Sequence, residues 1–286
     1  MHADLQRLSA WAADTTDPIA ALKRDSLDLP GARKLARAVE DELRDGCGLV
    51  RVIGISETDP LLLRLLFIAI GLEMGTPVGA YGRLYDVVDS GRSYRTEAIP
   101  VSQTNESTGT HTDSSNKALC PDFIALLCVR PARSGGMSRV TSALQARAVL
   151  AAESPELLEL LHQPFIRDLV TPGSERTPQT VTQNAFPIFG RPPEPTFRYM
   201  RFWIERGHSV AGIPLSAQQL RALDRLDAML EHKDHVYRFR LETGQMLFCD
   251  NTRVAHDRDA YETDPHQPRW LCRLWLAAHE QAGHTA

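Results

Sequence analysis

The pattern of apolar positions divides the chain into a helical part and a strand-rich part. Residues 32–45, ARKLARAVEDELRD, place apolar side chains three and four positions apart, which is typical of an amphipathic helix. A short strand-like run, GLVRVIG, follows at residues 48–54, and the apolar stretch from Pro60 to Gly75 then predicts a buried helix. This stretch contains Arg64 and Glu73 and is shorter than the roughly 20 residues needed to cross a bilayer. We therefore predict a helical flank over about residues 1–75.

Beyond residue 76 the pattern changes to short β-branched or aromatic runs separated by Gly, Pro and Asn. These runs predict strands at DFIALLCV, QNAFPIFG, FRYMRFWI, HVYRFRL, GQMLFCDN and RWLCRLWLA. Two helical segments interrupt them, SALQARAVLAAESPELLELLHQ and SAQQLRALDRLDAMLEHK, the second with Ser216 as its N-cap. Many short strands with helices mainly at the front predict a mainly β fold with flanking helices, a jelly roll over about residues 76–278. We expect residues 1–286 to form a single domain.

Composition narrows the function classes. The 286 residues are 43% hydrophobic and 24% charged, which is enough to bury a sizeable core. A net charge of -4 with interspersed signs gives no basic surface of the kind that binds nucleic acid. The N-terminal residues lack the apolar segment of a signal peptide, and five scattered cysteines argue against a disulfide framework. We therefore predict a cytoplasmic protein that binds neither nucleic acid nor membranes, and leave a homo-oligomer open.

A candidate metal site begins in the stretch TGTHTDSSNK, residues 108–117. His111 and Asp113 are two positions apart, so on an extended strand their side chains lie on the same face. An imidazole and a carboxylate that converge in this way are suited to one metal ion. The alternative is a chance pair in a turn rich in Thr, Ser and Gly.

His256 is the best candidate for a third ligand. It follows the apolar run MLFCDN by a few residues, where a strand is expected to end, whereas the other histidines lie in helix ends, loops or termini. Two imidazoles and one carboxylate form the facial triad of non-haem Fe(II), which leaves three coordination positions open. The same set also occurs at hydrolytic zinc, so these residues alone leave the metal undecided.

The segment RWLCR adds two arginines to the site. If residues 269–276 form a strand, Arg269 and Arg273 point into the barrel, while Trp270, Cys272 and Leu274 form the opposite apolar face. Guanidinium groups are rarely buried without an anion, and their planar fork matches a carboxylate. An organic acid beside the metal would explain both arginines. The alternative is a pair of surface arginines on an edge strand.

Four motifs, in this order along the chain, resemble the taurine dioxygenase and clavaminate synthase superfamily of Fe(II)- and 2-oxoglutarate-dependent oxygenases. They are His111-x-Asp113, PDFIALLCVRPARSGGMSRVTSA, DNTRVAHDRDAYE and RWLCRLWL. The resemblance covers about residues 48–277 and implies a double-stranded β-helix core. It implies that His111, Asp113 and His256 bind the iron. It also implies that Arg269 and Ser138 bind the distal carboxylate of 2-oxoglutarate. Arg273 matches a second family arginine near the C1 carboxylate of the cosubstrate or the anionic group of the substrate.

The reaction that this resemblance implies consumes 2-oxoglutarate and dioxygen, releases succinate and CO2, and hydroxylates an unactivated C–H. The expected substrate is a small anionic or amino-acid-like metabolite, contacted by Asn105, Ser107, Arg273 and Arg201. Arg201 is equally consistent with a solvated residue on an alternating strand. A desaturase, epimerase or ring-forming oxidase on the same iron chemistry is the alternative activity, and a non-catalytic jelly-roll binding protein is a more distant one. The sequence leaves the substrate itself undecided.

Overall fold

The structure is a computed structural model, and it describes residues 1–78, 82–97, 99–115, 120–169, 175–191 and 196–279. The end of the stretch TGTHTDSSNK, residues 116–117, lies outside these ranges. The helices are α1 (His2–Ala13), α2 (Pro18–Ala21), α3 (Pro30–Asp45), α4 (Pro60–Met74), α5 (Ala143–Glu153), α6 (Pro155–Leu161), α7 (Pro178–Gln183), α8 (Arg201–Ala211) and α9 (Ala217–Leu230), with a 3-10 turn at Val101–Gln103. The strands are β1 (Leu49–Val52), β2 (Gly75–Pro77), β3 (Tyr85–Val87), β4 (Phe123–Arg130), β5 (Ser134–Gly135), β6 (Ser138–Ser142), β7 (Pro164–Ile166), β8 (Ala185–Pro187), β9 (Val236–Phe239), β10 (Met246–Asp250), β11 (Val254–Arg258), β12 (Tyr261–Glu262) and β13 (Trp270–Ala278).

Two antiparallel sheets form the β core. The major sheet has the order β1-β10-β4-β13-β2, and β3 also pairs with β13. The minor sheet has the order β11-β6-β9. Ile124, Leu247 and Leu271 of the major sheet share one buried cluster with Val140 and Val254 of the minor sheet. The sheets therefore pack face to face as a jelly roll that is not closed into a continuous barrel, and the predicted mainly β fold with flanking helices is confirmed.

The N-terminal helices cover the outer face of the major sheet. α4 begins after the N-cap Asp59, whose side chain accepts a hydrogen bond from the amide of Leu62, and nine of its 15 residues are buried. Its apolar surface packs with α1, α3 and the outward residues Phe248 and Leu274 of the major sheet. The helical flank is thus joined to the β core, and β1, which lies within this flank, pairs with β10.

The helices predicted after residue 140 are also present. α5 and α6 occupy the first segment, and α9 begins after Ser216, which forms a capping box with Gln219. They share a second buried cluster with Phe165, Tyr199 and Ala255, on the side of the minor sheet away from the major sheet. The minor sheet is thereby held between this cluster and the major sheet.

The strand predicted for FRYMRFWI is wrong over its second half, because α8 begins at Arg201. The buried residues Trp203, Ile204 and Gly207 lie on one helical face. A Cβ at Gly207 would come within 2.6 Å of the backbone carbonyl carbon of Arg167, so this face of α8 packs directly on neighbouring backbone. Tertiary packing therefore overrides the strand preference of the aromatic residues.

Within the described ranges, no helix combines the length and the apolar character that a bilayer span requires. The apolar helix α4 spans 15 residues and is buried in the protein interior, as its sequence predicts.

Candidate active site

Backbone pairing brings His111 and His256 side by side. Each amide donates to the carbonyl of the other residue at 2.9 Å, and the imidazole centroids are 4.4 Å apart. His256 lies in the middle of β11 and not at the end of a strand as expected, since the residues between β10 and β11 form a tight turn that starts the new strand at Val254. The two imidazoles consequently lie on the same side of this backbone pairing.

Asp113 completes the cluster from a turn that follows this pairing. Asn251 holds its backbone: Oδ1 of Asn251 accepts from the amide of Asp113 at 2.9 Å, and Nδ2 donates to the carbonyls of Asp113 and Pro121 at 3.1 and 3.0 Å. Oδ1 of Asp113 then lies 3.6 Å from Nε2 of His111 and 3.8 Å from Nε2 of His256. The three residues form a cluster whose potential ligand atoms lie within 4.8 Å of one another.

The protonation states of the cluster suit a metal ion. Nδ1 of His111 lies 2.7 Å from the carbonyl of Gly109, which assigns the proton to Nδ1 and leaves Nε2 free to ligate. Burial, together with the neighbouring His111, lowers the pKa of His256 to about 3. Burial alone would raise the pKa of Asp113, but Arg273 and the two imidazoles outweigh it and lower that pKa well below its usual range. A neutral His256 imidazole and an ionised Asp113 carboxylate are therefore present together at neutral pH.

The second oxygen of the carboxylate is held by β13. Nε1 of Trp275 donates to Oδ2 of Asp113 at 2.6 Å, and Nη1 of Arg273 lies 3.3 Å from the same oxygen. The Arg273 guanidinium also stacks on the rings of Tyr85 and Trp275, at 4.9 and 4.3 Å. Oδ1 is thus the oxygen directed at both imidazoles, and Arg273 lies beside the cluster.

Arg269 lies farther along the same inner face and is 6% exposed. Its Nη1 is buried and has no hydrogen-bond partner in the part of the chain that the structure describes. The guanidinium stacks on Tyr261 at 5.0 Å, and burial lowers the pKa of Arg269. Ser138, the first residue of β6, is also buried and lines the same cavity. A buried guanidinium with an unused donor fits an anionic ligand bound in this cavity.

One cavity connects these groups. Its empty volume is about 700 Å³, including the part open to solvent, which suits small metabolites. The cluster residues, Ser138, Arg269 and Arg273 all line it, and its apolar walls include Leu126, Val140, Leu247 and Leu271. The inward and outward faces predicted for residues 269–276 are found, since Cys272, Leu274 and Leu276 pack under α4 instead.

Three of the predicted substrate contacts are not among the residues that line the cavity. The carbonyls of Asn105 and Ser107 accept hydrogen bonds from the amide of Tyr261 and the hydroxyl of Tyr94, at 3.0 and 3.1 Å. Arg201 is the first residue of α8, and its guanidinium is bound by three carboxylates, those of Glu205, Asp224 and Asp227. The structure therefore does not bring Arg201 to the candidate site.

Sequence reasoning missed several residues at the site. Ser102 and Thr108 line the cavity in the segment where Asn105 and Ser107 were expected to do so. Arg258, two residues after His256 on β11, also lines it. Asn251 lacked a signal other than its position directly after an apolar strand. The alternation of β13 already places Trp275 on the inner face, but not its contact with Asp113.

The fold and the cluster define a class of protein: a jelly roll that places two imidazoles and a carboxylate in a cavity with buried arginines. The chain belongs to the taurine catabolism dioxygenase TauD, TfdA family, whose sequence profile matches residues 14–275. It is therefore a 2-oxoglutarate-dependent non-haem iron dioxygenase, as the resemblance in its motifs implies.

Two relatives illustrate the range of the family. FR-33289 synthase of Streptomyces rubellomurinus (strain ATCC 31215) is 29% identical over 284 residues, which cover 95% of this chain and 78% of the relative. A uridine-5'-phosphate dioxygenase of a Streptomyces species is 29% identical over 181 residues, 61% of this chain and 63% of the relative.

Solved structures share the fold at lower identity. The non-heme iron oxygenase OrfP, in complex with (3S)-hydroxy-L-Arg, has a TM-score of 0.72 at 18% identity and covers 97% of this chain and 91% of its own. An asparagine oxygenase in complex with Fe(II), a hydroxyasparagine and succinate has a TM-score of 0.69 at 20% identity, with 97% and 92% covered. The described architecture is thus that of solved non-haem iron oxygenases.

Proposed function

We propose that the protein hydroxylates an unactivated C–H of a small anionic metabolite, with Fe(II) held by His111, Asp113 and His256. The observation that carries the proposal is the convergence of Nε2, Nε2 and Oδ1 of these residues in one cavity with the unused donor of Arg269. Two imidazoles and one carboxylate leave three positions open on a six-coordinate ion, as a cosubstrate chelate and dioxygen require. When bound, iron and 2-oxoglutarate supply dioxygen activation, coupled to loss of CO2 and formation of succinate.

Arg269 and Ser138 are proposed to bind one acid group in the cavity, and Arg273 another. We propose that Arg269 and the Ser138 hydroxyl bind the distal carboxylate of 2-oxoglutarate, because both are buried at the same cavity and Arg269 has no carboxylate partner of its own among the described residues. Nη1 of Arg273 lies 3.3 Å from Oδ2 of Asp113, beside the proposed iron ligands, which supports a role for its charge in binding the C1 carboxylate of 2-oxoglutarate or the anionic group of a substrate. The apolar walls keep water away from the reacting C–H.

The charges around the cavity favour an anionic substrate. Two carboxylates line it, and both are occupied: Asp113 by Trp275 and Arg273, and Asp257 by Thr108 and Arg139. No further carboxylate among its lining residues is available to a cationic group. The guanidinium of Arg273, which lines the cavity and is not needed for the distal carboxylate of 2-oxoglutarate, instead suits a phosphate, a sulfonate or a carboxylate, including that of an amino acid. The relative named uridine-5'-phosphate dioxygenase has an anionic substrate by its name, which supports this choice.

The wider proposal is that residues 1–286 act as a single domain with a small molecule as its partner. The packing of α4 on the major sheet and the pairing of β1 with β10 support a common core for the two parts.

Anaerobic reconstitution tests the assignment. The purified protein, loaded with Fe(II) and 2-oxoglutarate, is expected to show the weak visible charge-transfer band of an iron-bound 2-oxo acid, and Asp113→Ala is expected to lack it. A succinate-release screen over phosphate esters, sulfonates and amino acids, read by mass spectrometry, then identifies the substrate. A gain of one oxygen atom indicates hydroxylation, and a loss of two hydrogens indicates desaturation. Absence of the band in properly folded protein would overturn the proposal.

A further inference from the structure

Residues 104–107 form a segment whose carbonyl groups are all taken by neighbouring side chains or amides. The carbonyls of Thr104 and Glu106 both accept from Nη2 of Arg258, the first at 2.9 Å. The intervening carbonyl of Asn105 accepts from the amide of Tyr261, and that of Ser107 from the hydroxyl of Tyr94. The segment lacks helix or strand structure of its own, so these bonds define its path.

The same arginine joins this segment to the strand that carries His256. The amide of Thr108 donates to the carbonyl of Arg258 at 3.1 Å, and the amide of Arg258 donates to Oγ1 of Thr108 at 3.0 Å. That hydroxyl in turn donates to Oδ1 of Asp257 at 2.9 Å. Residues 104–108 are therefore attached to β11 in two ways. The side chain of Arg258 binds the carbonyls of Thr104 and Glu106, and the backbone of Arg258 binds Thr108.

Arg258 is buried and lines the cavity, at 8% exposure. Its guanidinium stacks on Tyr261 at 4.8 Å, the ring on which Arg269 also stacks at 5.0 Å. It forms no ion pair with a carboxylate in the described part of the chain, and its charge is instead met by the two carbonyls and the ring. Both bonds come from one nitrogen, Nη2, whose two hydrogens have fixed directions in the guanidinium plane and so hold the two carbonyls in a fixed relative position.

We infer that Arg258 is a positioning residue: it holds residues 104–108 in the conformation that presents Thr108 to the cavity, next to the strand of His256. The inference extends the proposed function. It rests on that function only for the statement that the wall of the cavity formed by this segment contacts the substrate. Arg258 itself is not required to touch the iron or 2-oxoglutarate. Removal of the Arg258 guanidinium should make residues 104–108 more mobile and leave the iron ligands and the 2-oxoglutarate-binding residues in place.

Hydrogen–deuterium exchange of the full chain tests this inference without a known substrate. Arg258→Lys keeps the charge but replaces Nη2 and its fixed in-plane hydrogens by a freely rotating ammonium on a shorter side chain. Amides of residues 101–108 are expected to exchange at least about tenfold faster than in the wild type, since the carbonyls of Thr104 and Glu106 lose a donor in the position that holds both. Tyr94→Phe removes only the bond to Ser107 and should give a smaller change in the same peptides. Arg238→Gln is the matched control: this exposed arginine lies on β9 of the same sheet and is paired with Asp259.

Binding and turnover then separate positioning from general damage. With Fe(II) present, the apparent dissociation constant of 2-oxoglutarate for Arg258→Lys is expected to stay within about threefold of the wild-type value. Once a substrate is identified, the amount of 2-oxoglutarate consumed per product formed should rise severalfold in this variant. Unchanged exchange over residues 101–108 would overturn the inference, and so would faster exchange spread over β6 and β11 with loss of 2-oxoglutarate binding. A wild-type protein without the iron–2-oxoglutarate band would overturn the proposed function alone, because the exchange experiment decides the positioning role independently.

Discussion

The indole of Trp275 donates a 2.6 Å hydrogen bond to Oδ2 of Asp113, the oxygen that faces away from the two imidazoles. Oδ1 is thereby left directed at Nε2 of His111 and His256. Hydrogen bonds to the non-ligating atoms of a metal-binding carboxylate fix its orientation and tune its affinity. Trp275 therefore orients the carboxylate from a strand that contributes none of the proposed ligands.

Replacing this tryptophan provides the first prediction. Trp275→Phe keeps most of the ring volume but removes the donor, so the affinity for Fe(II) should fall roughly 10- to 100-fold. Anaerobic titration of the 2-oxoglutarate complex with Fe(II), followed by its visible band, measures the change. Trp270→Phe on the same strand is the control, since its indole donates to Asp86 on the other face. Equal Fe(II) affinities for the two variants would show that the bond to Asp113 does not orient the ligand.

A second prediction concerns the carboxylate ligand. Asp113→Ala should lose iron binding and hydroxylation, because it removes both a negative charge and a coordinating oxygen. Asp250→Asn is the comparison variant: that carboxylate accepts from Thr252 and lies outside the metal cluster. Iron content and product formation are measured for both. Full activity of Asp113→Ala would mean that another carboxylate is the ligand.

Arg269 is expected to govern the affinity for 2-oxoglutarate. Truncation of one partner of a buried charge-assisted pair costs on the order of 2–5 kcal/mol. Arg269→Ala should therefore raise the dissociation constant of 2-oxoglutarate by roughly two orders of magnitude or more. Arg269→Lys should lie between, because it keeps the charge without the fork. Arg273→Ala should instead affect the primary substrate, or both ligands together. Separate titrations with 2-oxoglutarate and substrate distinguish the two arginines, and an unchanged 2-oxoglutarate constant in Arg269→Ala would refute its role.

The fourth prediction is a pH dependence of stability that originates away from the cavity. Burial lowers the pKa of His208, which donates from Nδ1 to the carbonyl of Ile213 and accepts at Nε2 from the amide of Ile166. The unfolded chain takes up a proton at this residue below about pH 6.5, whereas the folded chain resists it. The stability due to neutral His208 is thus fully present above that pH and is lost as the pH falls.

Urea unfolding of the metal-free protein at about pH 7.5 and about pH 5.5 measures this loss. His208→Gln keeps one donor and one acceptor but does not titrate, so its unfolding free energy should fall less between the two pH values than that of the wild type. His232→Gln, at an exposed residue, is the control and should follow the wild type. Identical pH profiles for wild type and His208→Gln would contradict the prediction.

Local periodicity predicted much of this architecture. The amphipathic repeat before Asp45, the apolar run of α4 and the capped α9 follow rules that act within a few residues, and all three helices are found. The alternation along β13 likewise predicted which residues face inward. The sequence pattern was misleading at Arg201, where the packing of one helical face against distant backbone decides the conformation.

The candidate site shows the same division. His111, Asp113 and His256 carry recognisable residue types at a recognisable spacing. The residues that orient them do not, because Asn251 and Trp275 act through hydrogen bonds to Asp113 across 138 and 162 positions of sequence. Arg258 binds backbone carbonyls, which carry no sequence signature, so its role is visible only once the chain is folded.

The two-sided character of β13 also determines where the chain can change length. Its inner face carries Arg273 and Trp275, and its outer face carries Cys272 and Leu274 under α4. A one-residue insertion or deletion within the strand would exchange the faces, placing guanidinium groups in the apolar core and aliphatic side chains in the cavity. The connection at residues 263–268, which precedes the strand, is free of this constraint. Natural or engineered length variation should therefore be tolerated in that connection and excluded from residues 269–276.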